Sequence, residues 1–549
     1  MREVKGTLRP YLVFAGLFSL VINVLLLAPP LYMLQVFDRV LTSRSNETLV
    51  FLTIGAVLAL ATMAGLDMIR AQLLSTGGAA LDRALGSRVL ERLIGEAARK
   101  GTGEHANALR DAHCVRAFFG GAGIQALFDL PWLPVFLAVI FLFHPLMGAF
   151  ALGGAIVMLA LAAANERLTR RAVERAQGEA RRAAAFIDTG ARNSEVVSAL
   201  GMLEAVTRRW ATLNDAASAR QVQAARWGAR MSGLTRFTRQ VIQTGMLALG
   251  AYIVVDQQVS TGVMIAATIL LSRALQPVEQ LVAGWRNLIE ARAAWRRLAE
   301  LLSQEGNPEN STVLPVPAGR VNAENVVFGF RGAERPIVRN VSFALAAGES
   351  LGIIGPSASG KSTLARLVVG IWRPVSGHLR LDGADVASWP RADLGRHIGY
   401  LPQDVQLFPG TVAQNIARLG EADDAEVIRA AKRARVHELI LHLPKGYETD
   451  ITAGLSPGQR QRIGLARALY SEPRLVVLDE PNANLDTEGE QALLHTLSVL
   501  KAEGVTVVLV AHRPSLLAGL DKLLVLREGV VEAFGPREEI MPKMVRRAA

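Results

Sequence analysis

Gly355-Pro-Ser-Ala-Ser-Gly-Lys-Ser362 follows an apolar run that ends at Ile354 and leads into a helical pattern that begins at Lys361. Its spacing is G-x-x-x-x-G-K-[ST], a glycine-rich loop between a strand and a helix. The glycines allow successive backbone N–H groups to point at phosphate oxygens, and the helix N-terminus adds partial positive charge. The stretch therefore predicts a nucleoside triphosphate site, with Lys361 on the outer phosphates and Ser362 as a ligand of Mg²⁺. The predicted contacts include the whole loop and the residue after it, namely Gly355, Pro356, Ser357, Ala358, Ser359, Gly360, Lys361, Ser362 and Thr363.

Charge is distributed unevenly along the 549 residues, a length that allows two to four domains. The first 300 residues hold 32 basic and 21 acidic side chains, whereas the remaining 249 hold 28 of each, so the whole excess of +11 lies in the first part. That part also carries the long apolar runs, which favours a membrane protein and excludes a nucleic-acid-binding surface. Cys114 is the one cysteine, so no intramolecular disulfide forms, and we expect a small buried or half-buried thiol.

Six apolar runs predict six membrane-spanning helices, several of them near the roughly 20 residues that a bilayer requires. They lie at about residues 11–34, 48–64, 130–143, 146–164, 234–255 and 263–281. The segment 165–233 carries twelve arginines against seven acidic residues. By the positive-inside rule, both termini and the long loops are expected in the cytoplasm.

Arginines also occur within or beside the last two runs, at positions 236, 239 and 273. A charge inside a membrane indicates a transport pathway, but an arginine near a helix end can equally extend its head group to the interface, and both interpretations stay open. After the runs, residues 303–319 are predicted to be a linker between a transmembrane domain, 1–302, and a second domain, 320–549. In this domain short β-like runs alternate with helical ones, which predicts a mixed α/β P-loop domain with a largely parallel sheet.

Polar side chains follow the predicted strands of the second domain, where a parallel sheet places its ligands. Asp479 suits Mg²⁺ binding through water, and Glu480 is positioned to act as general base on an attacking water. His512 ends another apolar run and is predicted to contact the γ-phosphate or orient the water. Gln403 offers an amide oxygen to Mg²⁺, and Phe330 either stacks on an adenine or belongs to the core.

The stretch Leu455-Ser-Pro-Gly-Gln459 begins a strongly helical run. It resembles the signature of ATP-binding cassette proteins, usually written L-S-G-G-Q, and the loop, Gln403, the Asp479-Glu480 pair and His512 follow in the order of that family. A six-helix membrane half fused ahead of an ATP-binding cassette is the layout of exporters. The resemblance implies a homodimer that binds ATP and Mg²⁺ and hydrolyses ATP. It also implies that Ser456, Gly458 and Gln459 of one copy complete the site on the phosphate loop of the other.

Finer motifs resemble the permease-ATPases of bacterial type I secretion, in the protease-exporting (PrtD-like) branch. They are Gln35-Val-Phe-Asp-Arg-Val40, Leu127-Phe-Asp-Leu-Pro-Trp-Leu-Pro134, Phe143-His-Pro145 and Asp479-Glu-Pro-Asn-Ala-Asn-Leu-Asp486. The resemblance implies export of unfolded polypeptides with C-terminal signals, a periplasmic adaptor, an outer-membrane duct and a bacterial inner membrane. A lipid or drug exporter is the alternative within transport. An ATP-operated clamp without transport and a regulatory cassette without turnover are the alternatives outside it.

Two features depart from the family pattern. The segment 447–455 is shorter than usual, and Pro457 replaces the first signature glycine, which removes one N–H donor from the phosphate site. The sequence predicts Ser456 as an N-cap, Pro457 at the first helical position and a capping box with Gln459. By position alone, residues 186–195 are expected either to form a helix that contacts the nucleotide domain or to be a solvated part of a long helix.

Overall fold

The computed structural model describes residues 2–100, 108–303, 314–330 and 335–548. The chain divides into two compact units, Met1–Glu305 and Gly306–Ala549. Of the linker predicted at 303–319, residues 304–313 lie outside the described residues, and 314–320 have no regular secondary structure.

The described residues of the first unit are helical almost throughout, as their long apolar runs require. A five-residue π-helical segment, Val36–Val40, and a 3₁₀ turn, Leu130–Trp132, interrupt the α-helices. The α-helices are α1 Arg2–Leu25, α2 Ala28–Gln35, α3 Leu41–Ser43, α4 Asn46–Lys100, α5 Ala108–Phe119, α6 Ala122–Asp129, α7 Leu133–Phe143, α8 Pro145–Arg192, α9 Ser194–Ala199, α10 Leu203–Val255, α11 Thr261–Ala283 and α12 Trp285–Ser303.

Five helical segments of the described residues are long and apolar enough to cross a membrane: Gly6–Ser43, Asn46–Ala98, Gly123–Phe143, Pro145–Arg192 and Thr261–Ala283. These five correspond to predicted passes, but the predicted pass at 234–255 is not among them. It forms the last part of α10, where Arg236, Arg239, Gln240 and Gln243 dilute the apolar run. The transmembrane unit is therefore helical, and the count of six passes is not confirmed.

Close approach of α8 and α10 depends on small residues at their interface. A side chain at Gly154 would put its Cβ 2.7 Å from Ile242 Cγ2, and one at Gly245 would meet Phe150 at the same distance. The buried core beside them includes Met147, Met158, Met246 and Leu271.

Residues 186–195 do not form one continuous helix, and most of them are the largely exposed last turns of the long helix α8. Helix α8 ends at Arg192, and α9 begins at Ser194. Asn193 lies between them with φ −104° and ψ 24°, and its side-chain amide donates to the carbonyl of Thr189. The acceptor is a carbonyl in the last turn of α8, so this backbone group keeps a hydrogen-bond partner where the helix ends.

The second unit contains two sheets among its described residues. A six-stranded sheet has the order β10-β9-β3-β8-β7-β6 and is parallel except for the β10–β9 pair. A four-stranded antiparallel sheet, which the sequence did not predict, has the order β2-β1-β4-β5. The strands are β1 Val321–Phe328, β2 Val338–Leu345, β3 Ser350–Ile354, β4 Ser376–Leu381, β5 Ala384–Asp385, β6 Ile398–Leu401, β7 Leu475–Asp479, β8 Thr506–Val510, β9 Lys522–Arg527 and β10 Val530–Pro536.

Every residue of β3, β7 and β8 is buried, as expected for central strands of a parallel sheet with both faces covered. One apolar core lies between the two sheets and includes Leu364 and Trp372; the other lies on the opposite face and includes Ile463 and Leu478. The helices of this unit are α13 Lys361–Val368, α14 Arg391–His397, α15 Val412–Ile416, α16 Asp424–Arg433, α17 His437–Leu441, α18 Pro457–Leu469, α19 Thr487–Ala502, α20 Pro514–Leu517 and α21 Arg537–Ala548, with 3₁₀ turns at Gly446–Glu448 and Ile451–Ala453.

Candidate functional site

The loop Gly355–Ser362 connects β3 to α13 and has three residues with positive φ: Gly355 at 153°, Ala358 at 61° and Gly360 at 101°. A Cβ at Gly355 would lie 2.0 Å from the carbonyl oxygen of Leu526 on the neighbouring strand β9. Glycine is therefore required at this position by both conformation and space. The loop that results is compact and ends at the N-terminus of a helix, where anions are favoured. Ser362 and Thr363 lie in the first turn of that helix.

Lys361 is buried, and its Nζ donates hydrogen bonds to the carbonyl oxygens of Gly355 at 3.0 Å and Pro356 at 2.8 Å. Burial lowers the pKa of Lys361, and the nearby carboxylates of Glu480 and Asp479 oppose that shift. The ammonium group is thus fixed at the loop by two of the loop's own backbone carbonyls. It is positioned to exchange those carbonyls for phosphate oxygens.

Asp479 ends β7 and has no exposed surface. Its Oδ1 accepts a hydrogen bond from Ser362 Oγ at 3.0 Å, whereas its Oδ2 is buried without a hydrogen-bond partner among the described residues. Burial raises the pKa of Asp479, although the hydrogen bond from Ser362 opposes the increase. Burying a carboxylate oxygen without a hydrogen-bond donor destabilises the fold unless a cation binds that oxygen. The oxygens of Ser362 and Asp479 therefore fit a hard divalent ion.

Glu480 is at the centre of a group of three side chains that come from the ends of different strands. Gln403 Nε2, after β6, donates to Glu480 Oε2 at 2.9 Å. His512 Nε2, after β8, lies 3.3 Å from Glu480 Oε1. The backbone of Glu480 has φ 50°, an unusual conformation for a non-glycine residue, and its N–H donates to the carbonyl of Val510. The structure therefore brings Gln403, Glu480 and His512 together, as the sequence predicted from the strand ends.

Phe330 lies just after β1 and is 47 % exposed. Its ring packs edge-on against Phe328 at 5.5 Å and against Trp372 at 5.3 Å between centroids. Trp372 in turn stacks on Phe328, and the guanidinium of Arg366 lies over the Trp372 ring at 4.9 Å from its centroid. Phe330 thus packs against two core aromatic residues while part of its ring stays accessible. The packing agrees with a core position, and the accessible part leaves room for stacking on an adenine.

The signature residues form the N-terminus of α18 as the sequence predicts. Ser456 is the N-cap, its Oγ accepts from Gln459 N at 3.2 Å, and Gln459 Oε1 accepts from Ser456 N at 2.9 Å. Pro457 occupies the first helical position, where its missing N–H has no intrahelical acceptor to lose. The predicted capping box is confirmed.

A wide groove of about 1470 Å³ opens beside this helix end and is lined by Ser456, Gly458, Gln459, Arg435 and His437 among others. None of its described lining residues belongs to the phosphate loop.

One connection within the site was not predicted from the sequence. Gln461 is buried in α18, and its Nε2 donates to the carbonyl of Pro481 at 2.8 Å. Asn484 Nδ2 donates to Gln461 Oε1 at 3.0 Å, which ties the signature helix to the segment that follows Glu480. Gln461 lies between Arg460 and Arg462, so the local sequence gave no signal that this side chain is buried.

Comparisons with known proteins agree with this geometry. The family model for the ABC transporter transmembrane region matches residues 12–278, and the model for the ABC transporter matches residues 338–483. The type I secretion system ATP-binding protein PrsD of Rhizobium meliloti is 42 % identical over 97 % of this chain and 92 % of its own length. The cyclolysin secretion/processing ATP-binding protein CyaB of Bordetella pertussis is 31 % identical over 96 % and 75 %. The structure of a bacterial Atm1-family ABC exporter with ATP bound matches with a TM-score of 0.84 at 26 % identity, over 99 % of both chains.

The chain thus combines a transmembrane region with an ABC transporter domain, and its relatives match it along nearly its full length. The chain belongs to the ABC exporters of type I secretion systems, membrane-embedded transporters that hydrolyse ATP.

Proposed function

We propose that this protein uses ATP to export unfolded polypeptides with C-terminal signals across the bacterial inner membrane. The observation that carries the proposal is the 42 % identity to PrsD, a type I secretion ATP-binding protein, over 97 % of the chain. A second relative is named for the secretion and processing of cyclolysin, a polypeptide. Both likenesses extend through the membrane unit, the part that contacts a cargo.

In the proposed ATP site, the N–H groups of residues 355–363 and the Lys361 ammonium bind the phosphates. Glu480 accepts the proton of the attacking water, because its carboxylate is fixed from both sides by Gln403 and His512. His512 contacts the γ-phosphate or orients that water, and Phe330 supports the adenine with its exposed edge. These roles follow from the positions and the chemistry of the side chains, and each can be tested by substituting the residue.

Mg²⁺ is proposed to bind at Ser362, Asp479 and Gln403. Oxygen donors from a hydroxyl, a carboxylate and an amide suit this ion, and the buried, partnerless Oδ2 of Asp479 supports the assignment. When bound, the ion neutralises charge on the β- and γ-phosphate oxygens. Ser362 and Asp479 already contact each other, so the chain supplies a preformed pair of ligands.

We further propose that the working unit is a homodimer with two composite sites. Ser456, Gly458 and Gln459 of one copy would contact the ATP held by the phosphate loop of the other, and the groove that these three residues line includes no described residue of that loop. A periplasmic adaptor and an outer-membrane duct would complete the export path. In the membrane we propose six passes, with the last part of α10 as the fifth and both termini in the cytoplasm, and domain limits of 1–302, 303–319 and 320–549.

Subunit mixing tests the composite site. Lys361→Ala breaks the loop, Gly458→Glu breaks the signature, and each homodimer should have no intact site. In a mixed dimer one site carries both defects and the other is complete, so combining the two inactive proteins should restore ATP hydrolysis. Nucleotide retained per dimer is a second readout that does not require both sites to turn over. If mixing restores neither hydrolysis nor retention, the composite site is wrong.

Cargo class is tested by stimulation of ATP hydrolysis in the full-length protein. A C-terminal secretion peptide should raise the rate, whereas hydrophobic drugs and lipids should not. Stimulation by drugs or lipids alone would favour the alternative, a lipid or drug exporter. Isolation of the polypeptide that remains bound to a Glu480→Gln protein in cells would identify the cargo itself.

A further inference from the structure

Two helices of the membrane unit carry a stripe of polar residues along their length. On α11 every polar residue between positions 268 and 280 falls within about 140° of the helix circumference, and the opposite arc is apolar. On α10, Arg236, Arg239, Gln240 and Gln243 fall within about 100° of the circumference, between a buried and an exposed apolar face. We call these residues the arginine stripe: Arg236, Arg239, Gln240 and Gln243 of α10, and Thr268, Ser272, Arg273, Gln276, Glu279 and Gln280 of α11.

The two halves of the arginine stripe contact each other. Arg239 Nη1 donates to Ser272 Oγ at 3.2 Å, and Arg239 Nε lies 2.8 Å from Glu279 Oε2. Arg236 Nε lies 3.7 Å from Glu279 Oε1, and Arg273 donates to the neighbouring Gln276. Two arginines therefore share the Glu279 carboxylate, and with Arg273 the stripe has a formal net charge of +2 per chain.

The arginine stripe is less buried than the apolar core of the same unit. On α11 the buried residues are the apolar ones, including Leu270, Leu271, Leu275 and Val278, whereas no member of the stripe on this helix is buried. On α10 the Arg236 side chain is 66 % exposed and that of Arg239 is 23 % exposed. The stripe thus lies half-buried at the contact between α10 and α11, outside the apolar core.

Depth along the helices sets Arg273 apart from the arginines of α10. Helix α11 begins at Thr261, so Arg273 lies about 18 Å from that end at 1.5 Å per residue. Helix α10 ends at Val255, which puts Arg239 about 24 Å from the same end and therefore nearer the opposite surface of a hydrocarbon core about 30 Å thick. Arg273 is far from both surfaces, and a guanidinium in contact with lipid at that depth is costly. A stripe of this length is stable where it borders water or a polar ligand.

We propose that the arginine stripe lines the export path and binds acidic segments of the unfolded polypeptide in transit. The inference rests on the proposed function and names the class of cargo sequence that the path favours. Charge complementarity supports this occupant, because a passing carboxylate neutralises the excess that Glu279 leaves. The amide and hydroxyl groups of the stripe, such as Gln276 and Ser272, offer hydrogen bonds to a peptide backbone of any sequence.

The test uses the full-length protein in nanodiscs of phosphatidylcholine and two labelled unfolded peptides. The peptides are identical except that one carries Asp and Glu where the other carries Asn and Gln. We expect the acidic peptide to bind the wild type about tenfold more tightly at low salt, and the difference to shrink as salt screens the charges. Replacing Arg236, Arg239 and Arg273 by Gln should remove the preference, whereas replacing all three by Lys should keep it.

Two further variants make the result independent of how well the triple Gln protein folds. Glu279→Gln adds one net positive charge and should increase the preference for the acidic peptide. Arg208→Gln is the matched control: Arg208 lies on the same helix, pairs with Glu204 on the exposed surface, and should leave the preference and the basal ATPase rate unchanged.

Equal binding of both peptides by the wild type overturns the inference and leaves the proposed function standing. Retained preference in the triple Gln protein also overturns it, and would favour the stripe as a contact between two copies of the chain. Failure of the wild type to bind either peptide overturns the proposed polypeptide cargo together with the inference.

Discussion

Glu480 Oε1 lies 3.3 Å from His512 Nε2, although 32 positions separate these residues in the chain. The two residues follow the adjacent parallel strands β7 and β8, whose carboxyl ends meet at one edge of the sheet. Gln403 approaches the other oxygen of Glu480 from the end of β6, on the far side of β7. Three neighbouring strands thus fix one carboxylate in a single orientation before any substrate binds. In the proposed role of Glu480 as general base, a carboxylate fixed in this way would need little rearrangement during proton transfer.

Glu480→Gln should lower the rate of ATP hydrolysis by about 10²- to 10⁴-fold, because the amide cannot accept the proton of the attacking water. ATP binding should persist, since the loop and Lys361 are unchanged. Steady-state phosphate release and equilibrium nucleotide binding measure the two effects separately. Glu538→Gln, an exposed glutamate on α21, is the matched control and should change neither. A Glu480→Gln protein that turns over at the wild-type rate would exclude Glu480 as the base.

The edge of the parallel sheet was the part of the site that sequence reasoning predicted well. Buried strands such as β7 and β8 are continuous apolar runs, and the polar residue that ends each run is visible in the sequence. The capping box at Ser456 was equally readable, because it depends on residues three positions apart.

Contacts between distant segments were not readable in this way. The hydrogen bond between Asn484 and Gln461 depends on the packing of α18 against the segment after β7, which no local pattern specifies. The antiparallel sheet of β1, β2, β4 and β5 was missed because the direction in which strands pair depends on distant segments, and register shifts between β1 and β2 interrupt their pairing. In the membrane unit, a pass was predicted at residues 234–255 from their apolar run. The arginine stripe residues of α10 lower the hydropathy of this segment, so it is not among the candidate spans of the described residues.

Gly355→Ala should abolish ATP binding. The added Cβ would meet the carbonyl oxygen of Leu526 at 2.0 Å, and φ of 153° is strained for alanine. Both effects push the loop away from β9, at a cost of about 1–3 kcal/mol from the backbone conformation alone. Equilibrium binding of a fluorescent ATP analogue and thermal unfolding measure the consequences.

The matched control for that substitution is Gly395→Ala. Gly395 lies in α14, and its added Cβ would have no neighbour within 4 Å. Alanine in a helix interior is favoured over glycine by about 0.5–1 kcal/mol, so this variant should be slightly more stable and bind ATP normally. If the two variants bind ATP equally well, close approach of Gly355 to β9 is not needed for the site.

Asp521 should make the stability of the nucleotide-binding unit depend on pH. Burial alone would raise the pKa of Asp521, but hydrogen bonds from Lys501 and Ser350 outweigh it, so the pKa lies below its ordinary value. A carboxyl with a lowered pKa stabilises the folded state above its ordinary pKa of about 3.9, and that stability is lost as pH falls through the folded value. Asp521→Asn should therefore be less stable than the wild type at neutral pH, and the difference should disappear in acid.

Thermal unfolding of the full-length protein in detergent from pH 7 to pH 3 measures this difference. Lys501→Met removes one of the hydrogen bonds that lower the pKa, so its own pH dependence should be intermediate. A stability gap between Asp521→Asn and the wild type that stays constant down to pH 3 would contradict the linkage.

Pro457→Gly should increase ATP affinity and turnover by about fivefold, the equivalent of one hydrogen bond worth about 1 kcal/mol. Proline at the first position of α18 lacks the N–H that points out of the helix end, whereas glycine supplies it. The cap itself should survive, because Ser456 and Gln459 hold each other through groups that the substitution does not touch. Pro457→Ala supplies the same N–H with a stiffer backbone, so a gain in both variants identifies the donor as the cause. Loss of activity in both would mean that the proline contributes to the site by its rigidity, and that no phosphate donor is missing at this position.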